Sequence, residues 1–147
     1  IEPLREHGWR VSILTRSPLV TRDIDLLKTC IEGSVGFSIP TDDDEVRKIV
    51  EPMSPPIATR IDALRQVHAA GIRTWVFIAP MLPMNPERMA GQIFPHIDHA
   101  MMDALNYRGQ VASLFRQHGW EYALTNEYAA KTRSELARLL GAKGPQP

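Results

Sequence analysis

Cysteine is nearly missing from this sequence: Cys30 is the sole thiol in 147 residues. One thiol excludes an internal disulfide and any cluster that needs several thiolates from this chain, and it points to a reducing, cytoplasmic setting. Net charge is missing too, with 17 basic residues against 17 acidic ones. A strongly basic domain that draws nucleic acid through its overall field is thereby excluded, although a local basic face is not. No run approaches the roughly 20 apolar residues that cross a bilayer, so no membrane partner is expected. Zinc-ligand spacings, a Gly-rich phosphate loop and a paired nucleophile and base are all absent.

The residues that remain make an ordinary globular composition, 44% hydrophobic and 23% charged. A chain of this length buries roughly two thirds of its unfolded surface in one core. The most informative pattern is a repeated join in which a helix closes at a glycine and an apolar run follows. It occurs at Leu4-Arg5-Glu6-His7-Gly8-Trp9-Arg10-Val11 and at Val67-His68-Ala69-Ala70-Gly71-Ile72-Arg73-Thr74. A looser copy surrounds Gly119. Each glycine suits the left-handed position that ends a helix.

Between the joins the pattern predicts strands at 10–15, 34–39 and 73–78. The last two are continuous enough to lie inside a parallel sheet. Helices are predicted at 22–31 with Thr21 as its cap, after Thr41 with Asp42–Glu45 in the first turn, at 57–70, from Asn85-Pro86 onward, at 111–118 and at 128–140. Residues 91–107 read as short helical pieces and 141–147 as a solvated tail. Strands alternating with helices imply a partial βα barrel of about three parallel strands, with 1–90 as the barrel part and 91–147 as a helical extension of the same domain. Residues 1–7 run straight into Gly8 like the end of a helix, which reads as a chain cut from a longer one.

In parallel βα folds the working face is the carboxyl end of the strands. Three junctions qualify: Thr15-Arg16-Ser17, Ser38-Ile39-Pro40-Thr41 and Ala79-Pro80-Met81-Leu82-Pro83. These junctions, with Arg22-Asp23-Ile24-Asp25-Leu26-Leu27, Val35-Gly36-Phe37-Ser38 and Glu51-Pro52 followed by Pro55-Pro56 and Arg60-Ile61, resemble the spore photoproduct lyase-like (DNA repair photolyase) branch of the radical S-adenosylmethionine (SAM) proteins. The resemblance covers about residues 9–86.

It implies SAM as cofactor and a [4Fe-4S] cluster that cleaves it to a 5′-deoxyadenosyl radical. The three-cysteine motif that holds the cluster is not in this chain. Resemblance places that motif upstream of Ile1, so the chain alone is expected to be inactive. By resemblance the cofactor-binding residues are Arg16, where the family often has lysine, Ser38 at the next strand end, and Ala79, whose backbone lies against the adenine. A nucleic-acid substrate is implied by the family only, and the substrate is left open. The alternative is a half-barrel without a cluster that binds a nucleoside or a protein.

Several residues have plainer readings. Arg16 is the kind of residue that forms a surface ion pair, and Ser38 the kind that bonds its own turn. Glu51 suits a structural contact with Arg60 or with a backbone N–H, and Cys30 suits a small buried hydrophobe. His96 and His99 would share a helix face, but no third ligand accompanies them.

Overall fold

The computed structural model describes residues 1–144. Four strands, β1 (Ser12–Thr15), β2 (Ser34–Ser38), β3 (Arg73–Ile78) and β4 (His99–Met102), form one all-parallel sheet in the order β1-β2-β3-β4. Sequential neighbours that run parallel need crossovers. These are supplied by α2 (Ile24–Lys28) after β1, α3 (Asp44–Val50) and α4 (Ile57–Ala69) after β2, and α5 (Pro86–Ile93) after β3. A short α1 (Glu2–Glu6) precedes the sheet, and α6 (Arg108–Gln117) and α7 (Asn126–Leu140) follow it. The architecture is a partial βα barrel.

The two-residue period of the strands sorts their side chains between two faces. Val35, Phe37, Val76, Ile78, Ala100 and Met102 point into the main core, where they meet Leu27, Leu64, Val67, Met89, Ile93, Leu136 and Leu140 of the helices. The opposite face carries Ser12 and Leu14 of β1, Arg73 of β3 and Met101 of β4, all exposed. Trp75 lies in the middle of that face. Its ring sits across Gly36, its register partner on β2, and stacks on His99, its partner on β4, with ring centroids 5.7 Å apart.

Helix starts follow local chemistry. Asn85 caps α5 by accepting from Arg88 N–H at 2.8 Å, and Pro86 occupies a first-turn position where its missing N–H is not needed. Asp43, not Thr41, caps α3, accepting from Glu45 N–H at 2.8 Å. The Thr41 hydroxyl instead donates to the Pro83 carbonyl at 2.6 Å. The helix expected at 22–31 contracts to α2. Ser17, rather than Thr21, caps the preceding 3-10 turn Pro18–Asp23, because Pro18 at the first position favours a tight start.

A fourth strand replaces some of the helical pieces expected at 91–107. β4 extends along β3 from Trp75↔His99 to Ile78↔Met102, and it buries Ala100 and Met102 against the helices. The expected tail is partly structured: Gly141–Lys143 makes a 3-10 turn, and residues 145–147 lie outside the described residues. Gly8 and Gly71 have φ of +68° and +79°, the left-handed closure that their repeated join predicts. Gly119 has the same geometry but leads into the 3-10 turn Glu121–Leu124. No helix among the described residues is long and apolar enough to cross a membrane.

Candidate cofactor site at the strand ends

The rim at the carboxyl end of the sheet is built by the segments that leave β1, β2 and β3. Arg16 and Ser38 are brought to this rim because β1 and β2 run in register, with Thr15 opposite Phe37 and Ser38 opposite Phe77. Ala79 follows the last residue of β3, is buried, and forms a cis peptide with Pro80. All three expected positions therefore occupy one end of the sheet.

Ser38 is 3% exposed, and its hydroxyl has no hydrogen-bond partner. Its carbonyl, by contrast, accepts from Arg60 Nη1 at 2.9 Å. The plainer reading of Ser38, a hydroxyl bonded to its own turn, does not hold. A buried hydroxyl without a partner costs about 1–3 kcal/mol, a penalty that a ligand or an ordered water at the rim would remove; Gln92 Oε1 and His99 Nδ1 share this state elsewhere in the fold.

Arg16 is half-exposed and donates from Nε to Glu51 Oε1 at 2.9 Å. Glu51 Oε2 accepts from Arg60 Nη2 at 3.0 Å, the structural contact that its residue type suggested. Arg60 is fully buried, and its Nε donates to the Pro55 carbonyl at 2.9 Å. Burial pushes the Arg60 guanidinium below its ordinary value, and the bond to Glu51 opposes that shift. The loop that Pro52, Pro55 and Pro56 impose between α3 and α4 thus wraps one guanidinium, which Arg60 sends from α4 toward the end of β2.

Ala79 and Pro80 line a cavity of about 280 Å³ with Phe77, Asp103, Leu105 and Tyr107. Behind the rim the loops are joined to one another. Leu82 N–H donates to the Pro40 carbonyl at 3.1 Å, and Met81 N–H donates to the Asp103 carbonyl at 3.0 Å. Asp42, buried beside Thr41, accepts from Asn85 N–H at 2.9 Å and pairs with Arg88. Tyr128 of α7 donates to the Leu82 carbonyl at 2.7 Å and accepts from Met84 N–H at 3.2 Å. Burial raises the Tyr128 phenol to about 12. The sequence contains no local signal for Tyr128, which reaches the rim from 44 residues away.

The histidines do not converge. His96 packs edge-on to His68 at 6.4 Å, whereas His99 stacks on Trp75. Burial is the main cause that lowers both imidazoles below their ordinary value. Cys30 is packed in the core. Among the described residues no group of three or more His, Cys, Asp or Glu side chains converges as a metal site. The described residues of the rim therefore offer a hydroxyl, guanidiniums and a carboxylate, and no ligand set for an iron–sulfur cluster.

The class defined by this fold and rim is an open parallel βα barrel with its polar groups gathered at the carboxyl ends of the strands, the ligand face of such sheets. Residues 1–91 match the model of the radical SAM superfamily, and the chain belongs to that superfamily. It is 36% identical over 100 residues to an uncharacterized protein of Methanocaldococcus jannaschii, covering 67% of this chain and 39% of that protein. An uncharacterized protein of Acidianus two-tailed virus is 37% identical over 89 residues, or 60% of this chain and 30% of its own length. One of Mycobacterium bovis is 33% identical over 102 residues, covering 63% and 30% respectively. The chain thus spans 30–39% of the length of these curated relatives. No solved structure matches it.

Proposed function

We propose that this chain is part of a radical SAM enzyme of the spore photoproduct lyase-like kind. Its strand ends would bind SAM, while the [4Fe-4S] cluster would be held by another part of a longer protein. The observation that carries this reading is the Ser38 hydroxyl, buried and without a partner at the end of β2. The superfamily membership and the ordered junction motifs support it. When bound, SAM and the cluster supply 5′-deoxyadenosyl radical chemistry.

This chain's own residues bind and orient. Ser38 offers a hydroxyl at the rim, Arg16 offers a cation at the end of the neighbouring strand, and Ala79 lines the cavity that follows β3. Arg16, where the branch often has lysine, presents a planar fork in place of a point charge, and that fork is directed onto Glu51. A single cysteine cannot supply the cluster, so the isolated chain would bind cofactor without turning it over. A nucleic-acid substrate rests on the family alone.

Calorimetric titration of SAM tests the binding reading. Binding to the wild type that weakens in Ser38→Ala and Arg16→Ala is the expected result, and unchanged affinity in both variants would overturn the assignment. For the longer protein, reconstitution with iron and sulfide under anaerobic conditions should give cluster absorbance and release of 5′-deoxyadenosine. Absence of both would leave the half-barrel that binds without a cluster as the reading.

A further inference from the structure

The three groups that meet at Glu51 have very different exposures. Arg16 is 47% exposed, Glu51 is 13% exposed and Arg60 is 0% exposed at the side chain. An arginine at a strand end on the surface is a mobile group, and an exposed ion pair does little to hold it. Here the partner is itself bonded on several sides. Glu51 gives one oxygen to each guanidinium, Oε1 to Arg16 and Oε2 to Arg60. Its backbone N–H is also tied, donating to the Arg47 carbonyl at 2.7 Å.

Arg60 is buried and fully engaged in turn. Its three bonded nitrogens go to the Pro55 carbonyl, the Ser38 carbonyl and Glu51, all at 2.9–3.0 Å. One buried guanidinium therefore fixes both the backbone that carries Ser38 and the carboxylate that holds Arg16. Two guanidiniums against one carboxylate also leave a surplus positive charge in this network.

We infer that Glu51 and Arg60 are positioning residues for the cofactor rim: Arg60 locks the end of β2 at Ser38, and through Glu51 it sets the direction of Arg16 just after β1. The inference rests on the reading of Arg16 and Ser38 as SAM contacts. Neither Glu51 nor Arg60 touches the cofactor in this scheme. The effect of Glu51 on affinity passes through Arg16, and that of Arg60 through Ser38 and, by way of Glu51, through Arg16.

A double-mutant cycle separates positioning from bulk stability. SAM affinity is measured by calorimetry for the wild type, Arg16→Ala, Glu51→Gln and the double variant, with a thermal melt of each. The expected result is a loss of about tenfold for Arg16→Ala, about fivefold for Glu51→Gln, and no further loss when the second is added to the first. An effect of Glu51 that is independent of Arg16 would give losses that multiply, and a role confined to stability would lower only the melting temperature; either result overturns the inference.

Should Glu51→Gln fail to fold, Glu51→Asp takes its place, since it keeps a carboxylate for Arg60 but shortens the reach to Arg16. The same non-additivity is expected of it. If the wild type binds no SAM, the cofactor reading fails and takes this inference with it. If the wild type binds, Ser38→Ala weakens binding, and Glu51→Gln leaves it untouched, the inference alone fails.

Discussion

The indole of Trp75 occupies the place that a side chain at residue 36 would need: a Cβ built on Gly36 would lie 2.3 Å from Trp75 Cε2. Gly36→Ala must therefore displace the ring and its stack on His99. Overpacking of this kind costs about 1–3 kcal/mol. Urea unfolding should show a lowered midpoint, with a changed near-ultraviolet circular dichroism signal from tryptophan. An unchanged midpoint and spectrum would mean that the ring does not rest on Gly36.

Ser38→Ala should have opposite effects on stability and binding. Removing a buried hydroxyl that has no partner relieves a desolvation penalty, so the melting temperature should stay level or rise by the equivalent of ~1 kcal/mol. SAM affinity should fall about three- to tenfold, the worth of one hydrogen bond. A clear drop in melting temperature would instead show that the hydroxyl serves the fold.

Tyr128→Phe removes one donor and one acceptor and leaves the Leu82 carbonyl and the Met84 N–H without their partner. A loss of about 1–2 kcal/mol is expected in chemical denaturation. Alkaline unfolding supplies a second check. The folded phenol keeps its proton to about 12, whereas in an unfolded chain it ionises near 10. The stability this contributes is complete below pH ~10 and is lost as pH rises toward the folded value, so the variant should have a flatter alkaline limb.

Asp44 contributes to the acid limb, beside Asp62 and Glu135, whose carboxyls are also lowered by their arginine partners. Its carboxylate accepts from Arg47 Nε and Nη2 and from Ile57 N–H, and the Arg47 bond is the main cause that lowers it to about 2. The contribution is fully present above the unfolded value, near pH 4, and drains away as pH falls through about 2. Urea midpoints measured from pH 5 to pH 2 should decline less steeply in Asp44→Asn than in the wild type. Parallel slopes would show that Asp44 carries no native-state shift.

Much of this architecture is legible from local chemistry. α4 follows from the spacing of Ile57, Leu64 and Val67, all of which it buries. β2 and β3 follow from their continuous apolar runs, and the three junctions follow from the strand ends. β4 was not legible because His99-Ala100-Met101-Met102 lacks β-branched residues. Only its register with β3 and the burial of alternate side chains make it a strand. The caps of α2 and α3 differ from the pattern because Thr21 and Thr41 are both capable caps, yet their hydroxyls donate to the Pro18 and Pro83 carbonyls.

The candidate site was legible as positions and not as a network. Arg16, Ser38 and Ala79 fall at strand ends by pattern alone. The bond from Arg60 to the Ser38 carbonyl spans 22 residues, and the pair of Arg16 with Glu51 spans 35. No periodicity encodes partners at such separations. They arise when the proline-rich loop folds over the end of β2.

The bonds that join Thr41 to Pro83, Asp42 to Asn85, Leu82 to Pro40 and Tyr128 to Leu82 connect segments that leave different strands. A molecule docking on this rim therefore meets backbone that is already ordered, and little conformational entropy is lost on its arrival. Its binding should have the thermodynamic signature of rigid-body recognition, with a small heat-capacity change set by the surface it covers and none of the excess that coupled folding adds.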